Sequence, residues 1–117
     1  MKEVGKYTES KEEHIMALRI LLVCGAGMSS SLLVKFTANA AKELGEDVEV
    51  WAVPRGLAKQ QQGKADVCLV GPQIRFDIKA IQAELPDIPV EMIEMKAYGT
   101  MNGKAIIQQA KKLLNLD

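Results

Sequence analysis

The sequence predicts an α/β fold: a single three-layer domain in which helices cover both faces of a four-stranded parallel sheet. Strand-like and helix-like segments alternate along the chain, and the connections between them are short. This alternation is typical of parallel strands joined by right-handed helical crossovers. The chain has 117 residues, 48% of them hydrophobic, which is sufficient for one domain with one core.

Four segments have the composition of strands. Residues 19–23 and 67–70 are almost entirely apolar, as expected for strands that are covered on both faces. Residues 48–53 include a charged side chain, which favours a position closer to the sheet edge. Residues 88–93 are predicted to form the fourth strand, with a proline that is tolerated at its start or on an edge.

A helical segment is predicted after each strand. Residues 31–44 are predicted to form a helix that stops at Gly45, and a short helix is predicted over about 56–62. A third helix is predicted from about Ile74, and Asn102 is predicted to cap the last helix. The residues expected on the apolar stripes are Leu32, Leu33, Phe36, Ala40 and Leu44; Ile74, Ile78, Ile81 and Leu85; and Ile106, Ala110, Leu113 and Leu114.

The first fifteen residues differ from the rest of the chain. They are rich in lysine and glutamate, contain little that is apolar and show no periodicity. We therefore expect residues 1–15 to form a disordered tail and residues 16–117 to form the folded domain. The only histidine, His14, lies in this tail, which argues against a histidine-dependent mechanism carried by this chain alone.

The overall composition excludes several functional classes. Fifteen basic residues balance fifteen acidic ones, so no basic excess indicates binding to nucleic acid or to a membrane surface. The longest apolar run, residues 20–24, is too short to cross a bilayer, and no signal peptide is expected. Two cysteines, Cys24 and Cys68, are too few for a disulfide scaffold and fit a reducing cytoplasm.

The segment LLVCGAGMSSSLL, residues 21–33, is the candidate functional site. Ligands of a parallel sheet bind beyond the carboxyl ends of its strands, and this segment follows the first strand. Its glycines allow a ligand close to the backbone, and its serines stand where free N–H groups and the helix dipole attract an anion. We expect Cys24 to be a nucleophile with a lowered pKa. The residues expected to bind phosphate are Gly25, Ala26, Gly27, Met28, Ser29, Ser30 and Ser31.

Three other interpretations of this segment must be weighed. Cys24 can be a small buried hydrophobic residue before a tight turn with a serine cap. A dinucleotide site is disfavoured because the GxGxxS pattern lacks the third glycine, and no acidic residue clearly ends the second strand. A cysteine phosphatase or arsenate reductase would require arginine at position 30, where this chain has Ser30, so the bidentate clamp on a phosphate is missing.

Further candidates lie outside this segment. Residues 71–73 end the third strand and should lie beside the cysteine loop, where Gln73 either touches the phosphate or a partner, or caps a helix. Tyr98 lines the rim of the site or is an ordinary surface residue. Cys68 lies in an apolar strand and is predicted to be core packing. Met28 either plugs the core beneath the loop or contacts a partner.

Three stretches together resemble a known family. CGAGMSSSLL, ADVCLVGPQI and the Tyr98-Gly99 pair after the fourth strand are similar to the enzyme IIB component of the lactose/cellobiose/chitobiose family of the bacterial phosphoenolpyruvate-dependent sugar phosphotransferase system. The resemblance extends over about residues 18–114. It implies a fold like that of low-molecular-weight tyrosine phosphatases.

The resemblance also implies a function. Cys24 would accept a phosphoryl group from a histidine of enzyme IIA and pass it to a β-linked disaccharide bound in the membrane permease, enzyme IIC. Residues 25–31 would hold the phosphate. The protein would be cytoplasmic and peripheral to the membrane through the permease, with no cofactor and no metal. The alternatives are a phosphate-binding or regulatory module without transfer, and a relative of the cysteine phosphatases and arsenate reductases.

Overall fold

The fold is described for residues 17–25 and 29–116 by a computed structural model of the chain. The predicted tail, residues 1–15, lies outside the described residues. The same holds for Ala26, Gly27 and Met28 of the predicted phosphate loop and for the side chain of Ser29.

The centre of the molecule is a four-stranded parallel sheet, as predicted. Its strands are β1 (Leu18–Cys24), β2 (Val48–Pro54), β3 (Val67–Val70) and β4 (Val90–Met92). Their order in the sheet is β2-β1-β3-β4, and all three pairings are parallel. The two most apolar strands, β1 and β3, are therefore the inner ones, because both of their faces are covered. β2 lies on an edge, as its composition predicted.

The helical segments follow the strands. They are α1 (Ser29–Leu44), a 3₁₀-helix (Arg55–Gln61), a second 3₁₀-helix (Pro72–Asp77) that continues into α2 (Ile78–Glu84), α3 (Met95–Gly99) and α4 (Gly103–Leu113). Asn102 caps α4, since its side-chain oxygen accepts a hydrogen bond from the Ala105 N–H at 3.1 Å. The short helix α3 is not predicted by any pattern in the sequence. Within the described ranges, no helix combines the length and apolar content needed to span a membrane.

The core has two layers, one on each face of the sheet. Alternate residues of the inner strands point to opposite faces, so Ile20, Leu22 and Cys24 belong to one layer and Leu21 and Val23 to the other. The first layer is completed by α1, α3 and α4, and the second by α2 and the 3₁₀-helices. These layers confirm the three-layer α/β architecture.

The face of α1 that meets the core differs from the predicted stripe. Leu32, Phe36 and Leu44 are 40–49% exposed, whereas Leu33 and Ala40 are buried. The first residue of α4, Gly103, packs on the backbone of α1 at Phe36 and Thr37, so α4 covers the face of α1 beside the buried residues. Along this inward face, the buried Thr37 hydroxyl donates to the Leu33 carbonyl at 2.7 Å, which satisfies its polar group.

An ion pair joins the amino ends of β1 and β3. The Arg19 guanidinium contacts the buried carboxylate of Asp66 at 2.9 Å, and the Arg19 N–H donates to the same carboxylate at 2.9 Å. The Asp66 N–H in turn donates to the Arg19 carbonyl at 2.9 Å. These bonds fix the register of the two inner strands, and so determine which residues meet at their carboxyl ends.

Candidate functional site

Cys24 is the last residue of β1, at the carboxyl edge of the sheet. Its side chain is 4% exposed and belongs to the core layer formed with α1, α3 and α4. The chain reaches the first residue of α1 five positions later, and this 16-residue helix has no acidic side chain in its first turn. The positive end of the α1 dipole is therefore not offset by a carboxylate of its own first turn, which favours an anion there.

The end of β3 lies against Cys24, as predicted for residues 71–73. The Gly71 N–H donates to the Val23 carbonyl at 2.8 Å. A β-carbon placed on Gly71 would be 3.8 Å from the Cys24 α-carbon, an ordinary packing distance that brings the two strand ends side by side. Ile74, in the segment that follows β3, packs closely against Gly25. A β-carbon on Gly25 would lie 3.3 Å from Ile74 Cγ2. Ile74 was expected on a helical stripe, and its contact with Gly25 was not predicted from the sequence.

Gln73 and Tyr98 meet each other at this edge of the sheet. The Gln73 side-chain amide donates from Nε2 to Tyr98 Oη at 2.7 Å. Its other atom, Oε1, lies 3.0 Å from the position of a β-carbon on Gly71. Gln73 does not cap the helix, since the capping residue of the 3₁₀-helix is Gly71 and no side chain bonds to its free N–H groups. The two rim candidates are therefore brought together, and the capping alternative for Gln73 is wrong.

The expected lowering of the Cys24 pKa is wrong for this structure. Burial raises the pKa of the Cys24 thiol above its ordinary value. The physical cause is loss of hydration, which penalises the thiolate more than the neutral thiol. In this structure the loss of hydration therefore favours the neutral thiol over the thiolate.

Cys68 is separated from the candidate site by the sheet itself. It is fully buried in the layer on the opposite face from Cys24 and pairs in register with Leu21. Burial, followed by the nearby Cys24, raises the pKa of Cys68 to about 12. These observations agree with the prediction that Cys68 is core packing.

The serines of the predicted phosphate loop begin α1. Ser29 is the first residue of the helix, Ser30 is half-buried and Ser31 is exposed. In the described ranges, no group of three histidine, cysteine or carboxylate side chains is placed to hold a metal ion. The described site therefore consists of a buried thiol between a helix amino end and the turn that follows β3. This arrangement suits a nucleophile whose product is an anion.

Comparisons with known proteins agree on one family. Residues 19–109 match the family described as "PTS system, Lactose/Cellobiose specific IIB subunit". The chain is 44% identical over 98 residues to the oligo-beta-mannoside-specific EIIB component of Bacillus subtilis, covering 82% of this chain and 95% of that protein. It is 40% and 39% identical over 103 residues to the galactose-specific and cellobiose-specific EIIB components of Lactococcus lactis, with the same coverage.

Two solved structures have the same fold. The solution structure of the cellobiose-specific phosphotransferase IIB component from Borrelia burgdorferi is 38% identical, with a TM-score of 0.70 over 85% of this chain and 93% of that one. The lactose-specific IIB domain from Streptococcus pneumoniae is 20% identical, with a TM-score of 0.67 over 83% of this chain and 97% of that one, and supports the fold alone. The chain therefore belongs to the lactose/cellobiose-specific IIB subunits of the sugar phosphotransferase system.

Proposed function

We propose that this protein is a phosphoryl carrier whose acceptor atom is the sulfur of Cys24. Cys24 receives the phosphoryl group from a histidine of enzyme IIA and passes it to a β-linked disaccharide bound in the permease, enzyme IIC. The observation that carries the proposal is the position of Cys24 in a IIB subunit, at the carboxyl end of an inner strand and before the amino end of α1. The protein would work at the cytoplasmic side of the membrane.

The first transfer exchanges one bond to phosphorus for another. The Cys24 sulfur attacks the phosphorus, an S–P bond forms, and the P–N bond to the donor imidazole breaks. Because burial raises the pKa of Cys24, the thiol brings its proton to the reaction. The departing imidazole nitrogen keeps the P–N electron pair and takes that proton, so the products are phosphocysteine and neutral histidine. In the second transfer a sugar hydroxyl displaces the sulfur and loses its proton, which restores the thiol.

The loop would hold the phosphoryl group without hydrolysing it. The backbone N–H groups of residues 25–31 and the amino end of α1 supply hydrogen-bond donors and a positive partial charge. Ser30 occupies the position where a cysteine phosphatase needs arginine. The loop therefore lacks the bidentate hydrogen bonds from a guanidinium that stabilise the transition state of phosphate hydrolysis. This difference favours a carrier over a phosphatase.

Exposed apolar side chains around the carboxyl edge support docking of protein partners. Each helical segment that directly follows a strand exposes one or more large apolar side chains, among them Leu32, Leu57, Phe76 and Met95. Phe76 is 82% exposed, with the Arg75 guanidinium over its ring at 4.7 Å. These four side chains lie in segments that begin at the carboxyl ends of the strands, and exposed apolar side chains near a site favour contact with a protein partner there.

The sugar would be selected by the permease. The two Lactococcus lactis relatives are named for galactose and for cellobiose, yet their identities to this chain differ by a single percentage point. Similarity within this subunit therefore does not track the named sugar. The names of the cellobiose and oligo-beta-mannoside relatives support a β-linked sugar as the acceptor.

Intact-mass analysis tests the proposal. The protein is incubated with phosphoenolpyruvate, the general phosphotransferase proteins and an enzyme IIA of the lactose/cellobiose type. The expected result is the gain of one phosphoryl group, abolished in Cys24→Ser and retained in Cys68→Ala. Serine keeps the shape of the site, but its hydroxyl is a much weaker acid and a weaker nucleophile than the cysteine thiol. No gain with any such donor would indicate a phosphate-binding or regulatory module instead.

A further inference from the structure

We propose that Tyr98 is a positioning residue that acts through Gln73 and holds the Gln73 amide toward the phosphoryl group on Cys24. The inference rests on the proposed function, and it adds two side chains from outside the cysteine loop. Its basis is the 2.7 Å hydrogen bond from Gln73 Nε2 to Tyr98 Oη, which joins residues 25 positions apart.

The Gln73 amide lies against Gly71, the residue that packs beside the backbone of Cys24. A β-carbon on Gly71 would be 3.0 Å from Gln73 Oε1 and 3.8 Å from the Cys24 α-carbon, so both groups border the same small space at Gly71. The side chain thus folds back over Gly71 toward the site. Without a fixed partner, an exposed glutamine at this position would sample many rotamers.

Tyr98, unlike the exposed Gln73, is held in place by the residues packed around it. It is half-buried and packs against the same core layer that contains Cys24. Its backbone is fixed in α3, where its N–H donates to the Glu94 carbonyl at 2.9 Å. The Tyr98 hydroxyl is therefore a rigid acceptor that holds a flexible amide in one orientation.

The amide chemistry suits a phosphoryl group. Gln73 Nε2 carries two hydrogens, and the bond to Tyr98 uses one of them. The second hydrogen is a neutral donor for a phosphoryl oxygen, in addition to the backbone donors of the loop. Tyr98 orients this donor before the phosphoryl group arrives, so that the cost of ordering the glutamine is not incurred during transfer.

Four variants test the inference by the rate of phosphoryl transfer from a phosphorylated enzyme IIA of the lactose/cellobiose type. Tyr98→Phe removes only the hydroxyl, and Gln73→Ala removes the amide; both are also combined in a double variant. Gln73→Glu removes the amide donor and places a negative charge at the site, while its carboxylate can still pair with Tyr98 by accepting a hydrogen bond from the hydroxyl. Gln61→Glu is its matched control, because the Gln61 amide bonds Trp51 on the opposite face of the sheet from Cys24.

The inference predicts a defined pattern. Tyr98→Phe lowers the transfer rate constant about fivefold to tenfold, the usual worth of one neutral hydrogen bond, and leaves the half-saturating donor concentration unchanged. Gln73→Glu lowers it by more than about tenfold through charge repulsion, while Gln61→Glu stays within about twofold of wild type. The double variant matches Gln73→Ala, because the proposed effect of Tyr98 on transfer is exerted through the Gln73 amide.

Other results would overturn the inference. Wild-type rates in both Tyr98→Phe and Gln73→Ala would do so, as would multiplicative losses in the double variant. Full activity of Gln73→Glu would reduce the pair to a structural contact. Gln73 is exposed, so its variants keep the fold even if Tyr98→Phe is destabilised. Failure of the wild-type protein to accept phosphate would instead overturn the proposed function itself.

Discussion

Gly103 packs directly on the backbone of Thr37. A β-carbon on Gly103, the first residue of α4, would lie 2.7 Å from the Thr37 α-carbon and would also overlap the neighbouring Phe36 carbonyl. α4 can approach α1 this closely only because the residue at the contact has no side chain. The contact holds α4 against α1, and α1 is the helix that begins five residues after Cys24.

Gly103→Ala is therefore expected to destabilise the fold. The added methyl group meets backbone atoms that cannot rotate away, so the free energy of unfolding should fall by about 2 kcal/mol or more. Urea denaturation measures the change. Gly99→Ala is the matched control, since a β-carbon there has no neighbour within 4 Å and should change stability by less than about 0.5 kcal/mol. Equal stability of the two variants would show that the helices are not in this contact.

The Cys24 thiol should react slowly with iodoacetamide at neutral pH. Burial raises its pKa, and the thiolate is the reactive form. The rate of alkylation, measured in Cys68→Ala so that only one thiol is present, should have its midpoint above the value of about 8.5 of a free cysteine. A midpoint below that value would mean that the amino end of α1 outweighs the loss of hydration.

Cys68 should make the fold less stable at alkaline pH. Its pKa is about 12 in the folded protein, against about 8.5 for a free thiol, so between these values only the unfolded chain releases the proton. The contribution of Cys68 is thus complete below pH 8.5 or so and is lost as the pH rises toward 12, by up to about 1.4 kcal/mol per pH unit.

Urea denaturation at several pH values tests this dependence against Cys68→Ala. The variant should lose less stability than wild type above pH 8.5 or so, after an offset at pH 7 of up to about 1.5 kcal/mol for the altered core. Parallel curves for the two proteins would contradict the assignment of a buried, protonated thiol at this position.

The sheet could be predicted from the sequence because its signals are local. A wholly apolar run identifies an inner strand, and both β1 and β3 are such runs. α3 was missed because five residues are too few to produce a helical stripe. The inward face of α1 was predicted only in part, since Leu33 and Ala40 are buried but Leu32, Phe36 and Leu44 are exposed. Apolar residues surround much of this helix, so the local pattern does not specify which of them meet the core.

The candidate site was predictable in its parts but not in its contacts. Cys24, the following loop and residues 71–73 were recognised because each comes after a strand, and parallel strands end at one edge. The bond between Gln73 and Tyr98 depends on how α3 is positioned, which no local pattern specifies. The direction of the Cys24 pKa shift likewise depends on burial by distant segments of the chain.

Phosphorus NMR of the protein after incubation with phosphoenolpyruvate, the general phosphotransferase proteins and enzyme IIA tests the central claim most directly, because the chemical shift distinguishes phosphorus bound to sulfur from phosphorus bound to nitrogen or oxygen. The account predicts one protein-bound signal with the shift of an S-linked phosphoryl group, present in Cys68→Ala and absent in Cys24→Ser. A protein-bound signal that persists in Cys24→Ser, or a wild-type signal with the shift of an N-linked or O-linked group, would contradict it.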